Sequence, residues 1–168
     1  MNRRSFVLLG VSLMVPGVSG CTLAAPVVTA SGKADGVLVK KKQRTLLLMQ
    51  EGKLLKTYPI QLGSEPEGPK MRQGDGKTPE GTYRISQRNP QSQYHLSLRV
   101  SYPSPEDRRR AAQAGVSPGG DIFIHGMPNW AKAPIEGDWT AGCIAVKNSD
   151  MEEIWDSVPV GCPISILA

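Results

Sequence analysis

Two stretches decide how this chain is read: Asp121-Ile122-Phe123-Ile124-His125-Gly126 and Trp139-Thr140-Ala141-Gly142-Cys143-Ile144-Ala145-Val146. Each holds a short apolar run with glycine beside it, too brief for a helix, so each reads as a short buried strand. Met127 to Asp138 between them is an irregular loop. The first run ends on a histidine, at a strand end where a side chain can project into a cleft. The second opens on a cysteine preceded by a glycine that frees the backbone to turn. A cysteine becomes a nucleophile when a histidine takes its proton and nearby amides face the developing oxyanion. His125 and Cys143 are the candidate pair.

Working outward, the same short-run pattern repeats. Val37-Leu38-Val39, Thr45 to Met49 and Leu54 to Leu62 read as strands, the last two joined by a turn at Glu51-Gly52-Lys53. Gly63 to Pro79 is a loop long enough to suspect a functional role. Gly81 to Ser86, Tyr94 to Val100 and Pro163 to Leu167 complete the strands. Ser104-Pro105-Glu106-Asp107 opens a helix with a capping serine, a proline in the first turn and two acids at the positive end of the dipole; Gly115 stops it. Ser149-Asp150-Met151-Glu152 reads as a capping box opening a second helix through Trp155. The predicted fold is mostly β with two short helices.

Composition agrees. Among 168 residues, 18 glycines and 14 prolines punctuate nearly every segment and exclude a helical bundle. The net charge of +5 marks no nucleic-acid binder, because Arg3 and Arg4 fall in a targeting segment and no aromatic stacking motif accompanies the rest. Lys40-Lys41-Lys42 and Arg108-Arg109-Arg110 read as solvated faces.

Residues 1–20 read as an export signal: a basic start, an apolar stretch from Phe6 to Val18, then small residues. Val18-Ser19-Gly20-Cys21 resembles a bacterial lipobox, in which Cys21 is lipidated; an ordinary signal cut with Cys21 incidental is the alternative. Arg3-Arg4-Ser5-Phe6 also resembles a twin-arginine signal. Residues 21–36 are small and polar and read as a lipid-anchored tether, with the folded domain at 37–168. By the same resemblance Thr22, not aspartate, favours the outer membrane. The expected location is the periplasm.

His125, the spacer Gly126 through Trp139, and Thr140-x-Gly142-Cys143 resemble the motif of the YkuD-type L,D-transpeptidases, a histidine followed at a distance by Ser/Thr-His-Gly-Cys. Thr78-Pro79-Glu80-Gly81 resembles the family's Thr-Pro-x-Gly ahead of a strand. The resemblance covers about residues 37–168 and implies a mixed β-sandwich or barrel. It implies Cys143 as nucleophile and His125 as general acid and base. Gly126, Gly142 and Thr140 would orient the pair or hold the oxyanion, and Trp139 would wall the substrate groove. It further implies a thioacyl-enzyme formed on peptidoglycan stem peptides, and no metal or organic cofactor. The product would be a meso-diaminopimelate cross-link or a protein attached to the cell wall. Ala141 departs from the family's histidine there, which touches substrate preference and not the Cys–His pair.

Two rivals stay open. A hydrolase of the same fold would use water as acceptor and release a cross-link or a wall-attached lipoprotein. A wall-binding lipoprotein would have no turnover. The chain is expected to be a monomer. Cys162 reads as a packed spare, or as a disulfide partner of Cys143. His95 reads as a surface or packed histidine, Trp155 as core, and Trp130 as groove wall or loop packing.

Overall fold

The computed structural model describes residues 33–168; the signal, lipobox and most of the tether, Cys21 included, lie outside them. Eight strands and two helices follow in the order β1 (Gly36–Lys40), β2 (Thr45–Gln50), β3 (Lys53–Pro59), β4 (Gly81–Ser92), β5 (His95–Val100), α1 (Pro105–Gln113), β6 (Phe123–His125), β7 (Ile144–Ala145), α2 (Asn148–Ser157) and β8 (Pro163–Leu167). The mostly β expectation with two helices holds.

The strands form one mixed sheet in the order β3-β2-β1-β8-β4-β5-β6-β7. β1 runs parallel to β8, and β6 parallel to β7; the other pairs are antiparallel. β3 stops at Pro59, short of the expected Leu62, because the chain leaves β2 there. Gln61 instead exchanges both backbone hydrogen bonds with Ala145 of β7 (2.9 and 2.8 Å). The last strand is thus tied to the chain leaving the first, and the sheet curls towards closure.

Alternation along β1 and β2 buries Val37, Val39, Leu46 and Leu48 against Ile164, Ile166, Ile124 and Ile144 in one core. Ala34 is also buried there, and its N–H bonds to Ser157 O (2.9 Å), so ordered packing starts a little before Val37. β4 runs on to Ser92, past the expected Ser86. Its register with β5 shifts between Asn89 and Ser92, around Pro90, a residue that sheets admit at such irregularities.

α1 is capped as its sequence predicts. Ser104 Oγ accepts from Asp107 N, and Asp107 returns a bond to Ser104 N. α2 departs from expectation. It begins at Asn148 with Lys147 at the N-cap and no side-chain cap. Ser149 already lies in the first turn, and Asn148 Oδ1 accepts from Met127 N (2.7 Å), pinning the chain just after β6.

Two basic runs were also misread in part. Lys41 is buried, with Nζ donating to Gly68 O (2.6 Å), Thr78 O (2.9 Å) and Glu80 Oε1 (2.8 Å). Arg108 and Arg109 are exposed, as expected of a solvated face, while Arg110 is half-buried and paired with Asp107 (2.6 Å).

Candidate active site

The loop at 63–79 builds the wall behind the cysteine. The Gly63–Thr140 bridge joins it to the turn that carries Cys143, with Ser64 N donating to Thr140 O and Thr140 N to Leu62 O. The loop folds back on itself and onto the turn so closely that a Cβ on Gly63 would lie 2.0 Å from Gly76 O and 3.1 Å from Gly142 Cα. Gly142 has φ +133°, and a Cβ there would meet Lys77 O at 2.6 Å. Thr78, fully buried, accepts from Gly63 N through Oγ1 (3.1 Å). The Gly76-Lys77-Thr78-Pro79 stretch therefore acts as a buttress.

Inside this loop a buried ion pair fixes the shape. Lys70 Nζ lies 2.7 Å from Asp75 Oδ1, with both side chains almost wholly buried. The Asp75 carboxylate also accepts from the N–H groups of Met71, Arg72 and Lys77. Burial pushes its pKa up, but the Lys70 ammonium and these N–H groups outweigh that and bring it down to about 2. Nothing local in the sequence announced this pair.

The turn itself is tied by Thr140. Its hydroxyl donates to Cys143 O (2.8 Å) and accepts from Gly142 N (3.0 Å). That corrects one expectation: the Gly142 N–H is committed to Thr140 and is not free to hold an oxyanion. Gly142 shapes the turn instead.

His125 ends β6, and its imidazole is buried. Nδ1 lies 2.7 Å from Gly126 O. A carbonyl can only accept, so Nδ1 carries the proton and Nε2 keeps its lone pair. Tyr94 packs against the ring (centroids 4.6 Å apart), and Trp139 meets it edge-on (5.8 Å). Trp139 is held in turn by its Nε1–H to Gln61 Oε1 (2.9 Å). Burial lowers the His125 pKa, only partly offset by the Gly126 bond. Cys143 is half-buried, and its thiol donates to Asp121 O (3.5 Å). Burial raises its pKa; a backbone hydrogen bond from Phe123 opposes that, and the Asp121 carboxylate adds to it. Both shifts favour the uncharged forms, thiol and imidazole.

His125 and Cys143 share a cavity of about 540 Å³, with Tyr94, Ser97, Asp121 and Trp139 among its walls. Trp130 is exposed and stands off this cavity. His95 also stands outside it, with Nε2 on Glu152 (2.9 Å). Cys162 is buried elsewhere, its sulfur near Ala34 O, and both described cysteines are free thiols. Trp155 packs against the core under the Arg88 guanidinium (4.0 Å).

A curled mixed sheet with a histidine and a cysteine facing one cleft defines a class, and comparison with known proteins names it. The model of the YkuD L,D-transpeptidase catalytic domain matches residues 34–166, and the chain belongs to that family. YafK of Escherichia coli K12, provisionally named an L,D-transpeptidase, is 32% identical over 129 residues, 73% of this chain and 46% of that protein. Among solved structures, the helical cell shape determining protein Pgp2 of Campylobacter jejuni matches with a TM-score of 0.61 at 26% identity, over 80% of this chain and 49% of Pgp2. Bd1075 of Bdellovibrio bacteriovorus matches with a TM-score of 0.58 at 26% identity, over 81% of this chain and 48% of its own. The chain spans about half the length of these relatives. An L,D-transpeptidase of Xylanimonas cellulosilytica, at 15% identity and a TM-score of 0.53, shares the fold.

Proposed function

We propose that the chain is a cysteine-dependent L,D-transpeptidase of peptidoglycan stem peptides that works through a thioacyl-enzyme. The observation that carries this reading is the Nδ1–H bond from His125 to Gly126 O, which leaves a basic Nε2 on the cavity that also holds Cys143. The thiol proton passes to Nε2 as the sulfur attacks the carbonyl carbon at the L-centre of the third stem residue. The Cys143 N–H receives the oxyanion. Collapse breaks the C–N bond, and His125 returns the proton to the departing D-alanine amine. An acceptor amine then attacks the thioester, the C–S bond breaks, and Cys143 is restored. The product is a cross-link or a wall-attached protein; water as acceptor would make the enzyme a hydrolase.

The same reading places residues 1–20 as a signal, Cys21 as the lipid-bearing first residue of the mature chain, and 21–36 as a tether. The domain at 37–168 would then face the wall from the periplasmic side of the outer membrane as a monomer.

The test is mass spectrometry of muropeptides incubated with the purified protein, beside Cys143→Ala and His125→Ala. Dimers or exchanged terminal D-amino acids, absent with both variants, support transpeptidation. Loss of an existing link with water incorporated makes the chain a hydrolase. No product and no cysteine adduct leaves a wall-binding protein without turnover.

A further inference from the structure

The floor of the cleft continues beyond the Cys143–His125 pair. The β4–β5–β6 register places Asn89, Ser97 and His125 side by side on one rung. Side chains two residues apart share a sheet face, so the next rung on that face is Gln87, Arg99 and Phe123. Arg99 therefore lies on the cleft side, one rung past the histidine's neighbour. Its Nη2 lies 2.8 Å from Asp121 Oδ1. Asp121 lines the cavity, and its backbone carbonyl is the group that touches the Cys143 sulfur. It holds a left-handed conformation (φ 54°), rare for a residue other than glycine. That conformation gives its carbonyl to the nucleophile, while its carboxylate goes to Arg99. Both side chains are substantially exposed (42% and 78%), so the pair contributes little to stability and exchanges partners readily.

We propose that Arg99 and Asp121 form a specificity site that reads the zwitterionic far end of a diaminopimelate-type residue. Arg99 takes the distal carboxylate and Asp121 the distal ammonium. This rests on the functional reading above and adds which residues select the stem. When the L-centre carbonyl lies at the Cys143 sulfur, the distal centre is five carbon–carbon bonds from that carbonyl carbon, roughly 6 Å when extended. Asp121 O lies 3.5 Å from that sulfur and the Arg99 guanidinium 2.8 Å from the Asp121 carboxylate, so the pair stands beside the nucleophile. A lysine at the same stem position brings an ammonium without a carboxylate and leaves Arg99 unanswered. A diaminopimelate amidated at the distal carboxylate leaves it equally so. Guanidinium and carboxylate match in planar, two-bond geometry, so Arg99→Lys is only a partial replacement.

The test is calorimetric titration of the protein with three stem tripeptides that carry meso-diaminopimelate, its distal amide or lysine in third place. These lack the scissile D-alanine bond, so binding is read without turnover. The diaminopimelate peptide should bind about tenfold more tightly than the other two, the size of one charged hydrogen-bond pair. Arg99→Met and Asp121→Asn should each bring it close to the lysine peptide, with Arg99→Lys in between. Thermal melts check that the variants are folded; if Arg99→Met is not, Asp121→Asn and the wild-type comparison decide. Equal binding of the three peptides, no binding of any, or an unmoved preference in the folded variants overturns the proposal. A lost preference with an intact Cys143 adduct sinks this inference alone. An intact preference with no adduct sinks the catalytic reading alone.

Discussion

Two long irregular loops flank the cysteine turn, and they are built in opposite ways. The loop at 63–79 is fastened along its length: Lys41 to Gly68 and Thr78 carbonyls, Lys70 to Asp75, Asp75 to three backbone N–H groups, Thr78 to Gly63. The loop at 127–138 is fastened at its two flanks. Asn148 holds Met127, Asn129 bonds to Ser92, Gln93 and His95, Gln61 Nε2 donates to Ile135 O, and Asp138 accepts from Arg44 Nε and Nη2 and from Leu62 N. Between those points Trp130 is 74% exposed. The first loop sets where Cys143 stands. The second closes the sequence gap between His125 and Cys143 and leaves its tip free. A position is held rigid here by satisfied polar groups under cover, not by regular secondary structure.

The largest break should come from Asp75→Ala. It leaves the Lys70 ammonium buried without a counter-charge and three N–H groups without their acceptor. Removing one partner of a buried pair costs about 3–5 kcal/mol, read by denaturant unfolding, and activity should fall with it. Thr78→Val keeps the shape but removes the acceptor for Gly63 N. It should cost about 1–3 kcal/mol and lower kcat more than it raises KM, because the buttress under Gly142 loosens. Trp130→Ala in the other loop should move stability by no more than about 0.5 kcal/mol. If Trp130→Ala proves as costly as Thr78→Val, the contrast between the loops is wrong.

Acid sharpens the same contrast. The Asp75 pKa falls from 3.8 unfolded to about 2 folded. Its stabilisation is full above the unfolded value and disappears as pH drops through the folded one. Unfolding should therefore steepen between about pH 4 and about pH 2 in the wild type, and less so in Asp75→Asn. On the proposed mechanism a neutral His125 takes the thiol proton, and burial lowers its pKa. The acid limb of kcat/KM should then lie below the ordinary imidazole value of 6.5. A limb above that value would mean that the ring is not buried as described.

Most of the strands were legible because apolar residues alternate along them, and the α1 cap was legible because Ser104 and Asp107 act on each other locally. What failed was non-local. The second helix looked capped by Ser149, but Asn148 spends its side chain on Met127. Lys41 looked solvated because its acceptors arrive from a loop 27 to 39 residues away. The Lys70–Asp75 pair went unremarked, because only the folded loop buries both side chains. At the site, His125 and Cys143 stood out by residue type and spacing, and they line one cavity. Gly142 was assigned an amide role that Thr140 takes away, a competition visible only once the turn is folded. Arg99 went unremarked, since nothing in Leu98-Arg99-Val100 says which face of a strand it shares with a histidine on another.

On the proposed mechanism Cys143 carries the acyl group, with His125 moving the proton. Intact-mass spectrometry of the protein quenched during turnover of a tetrapeptide stem, followed by peptide mapping, tests it most directly. The predicted result is a mass increase equal to the acyl tripeptide, mapped to Cys143, lost in Cys143→Ala and accumulating far more slowly in His125→Ala. Turnover by Cys143→Ala, or an adduct mapped to another residue, would contradict it.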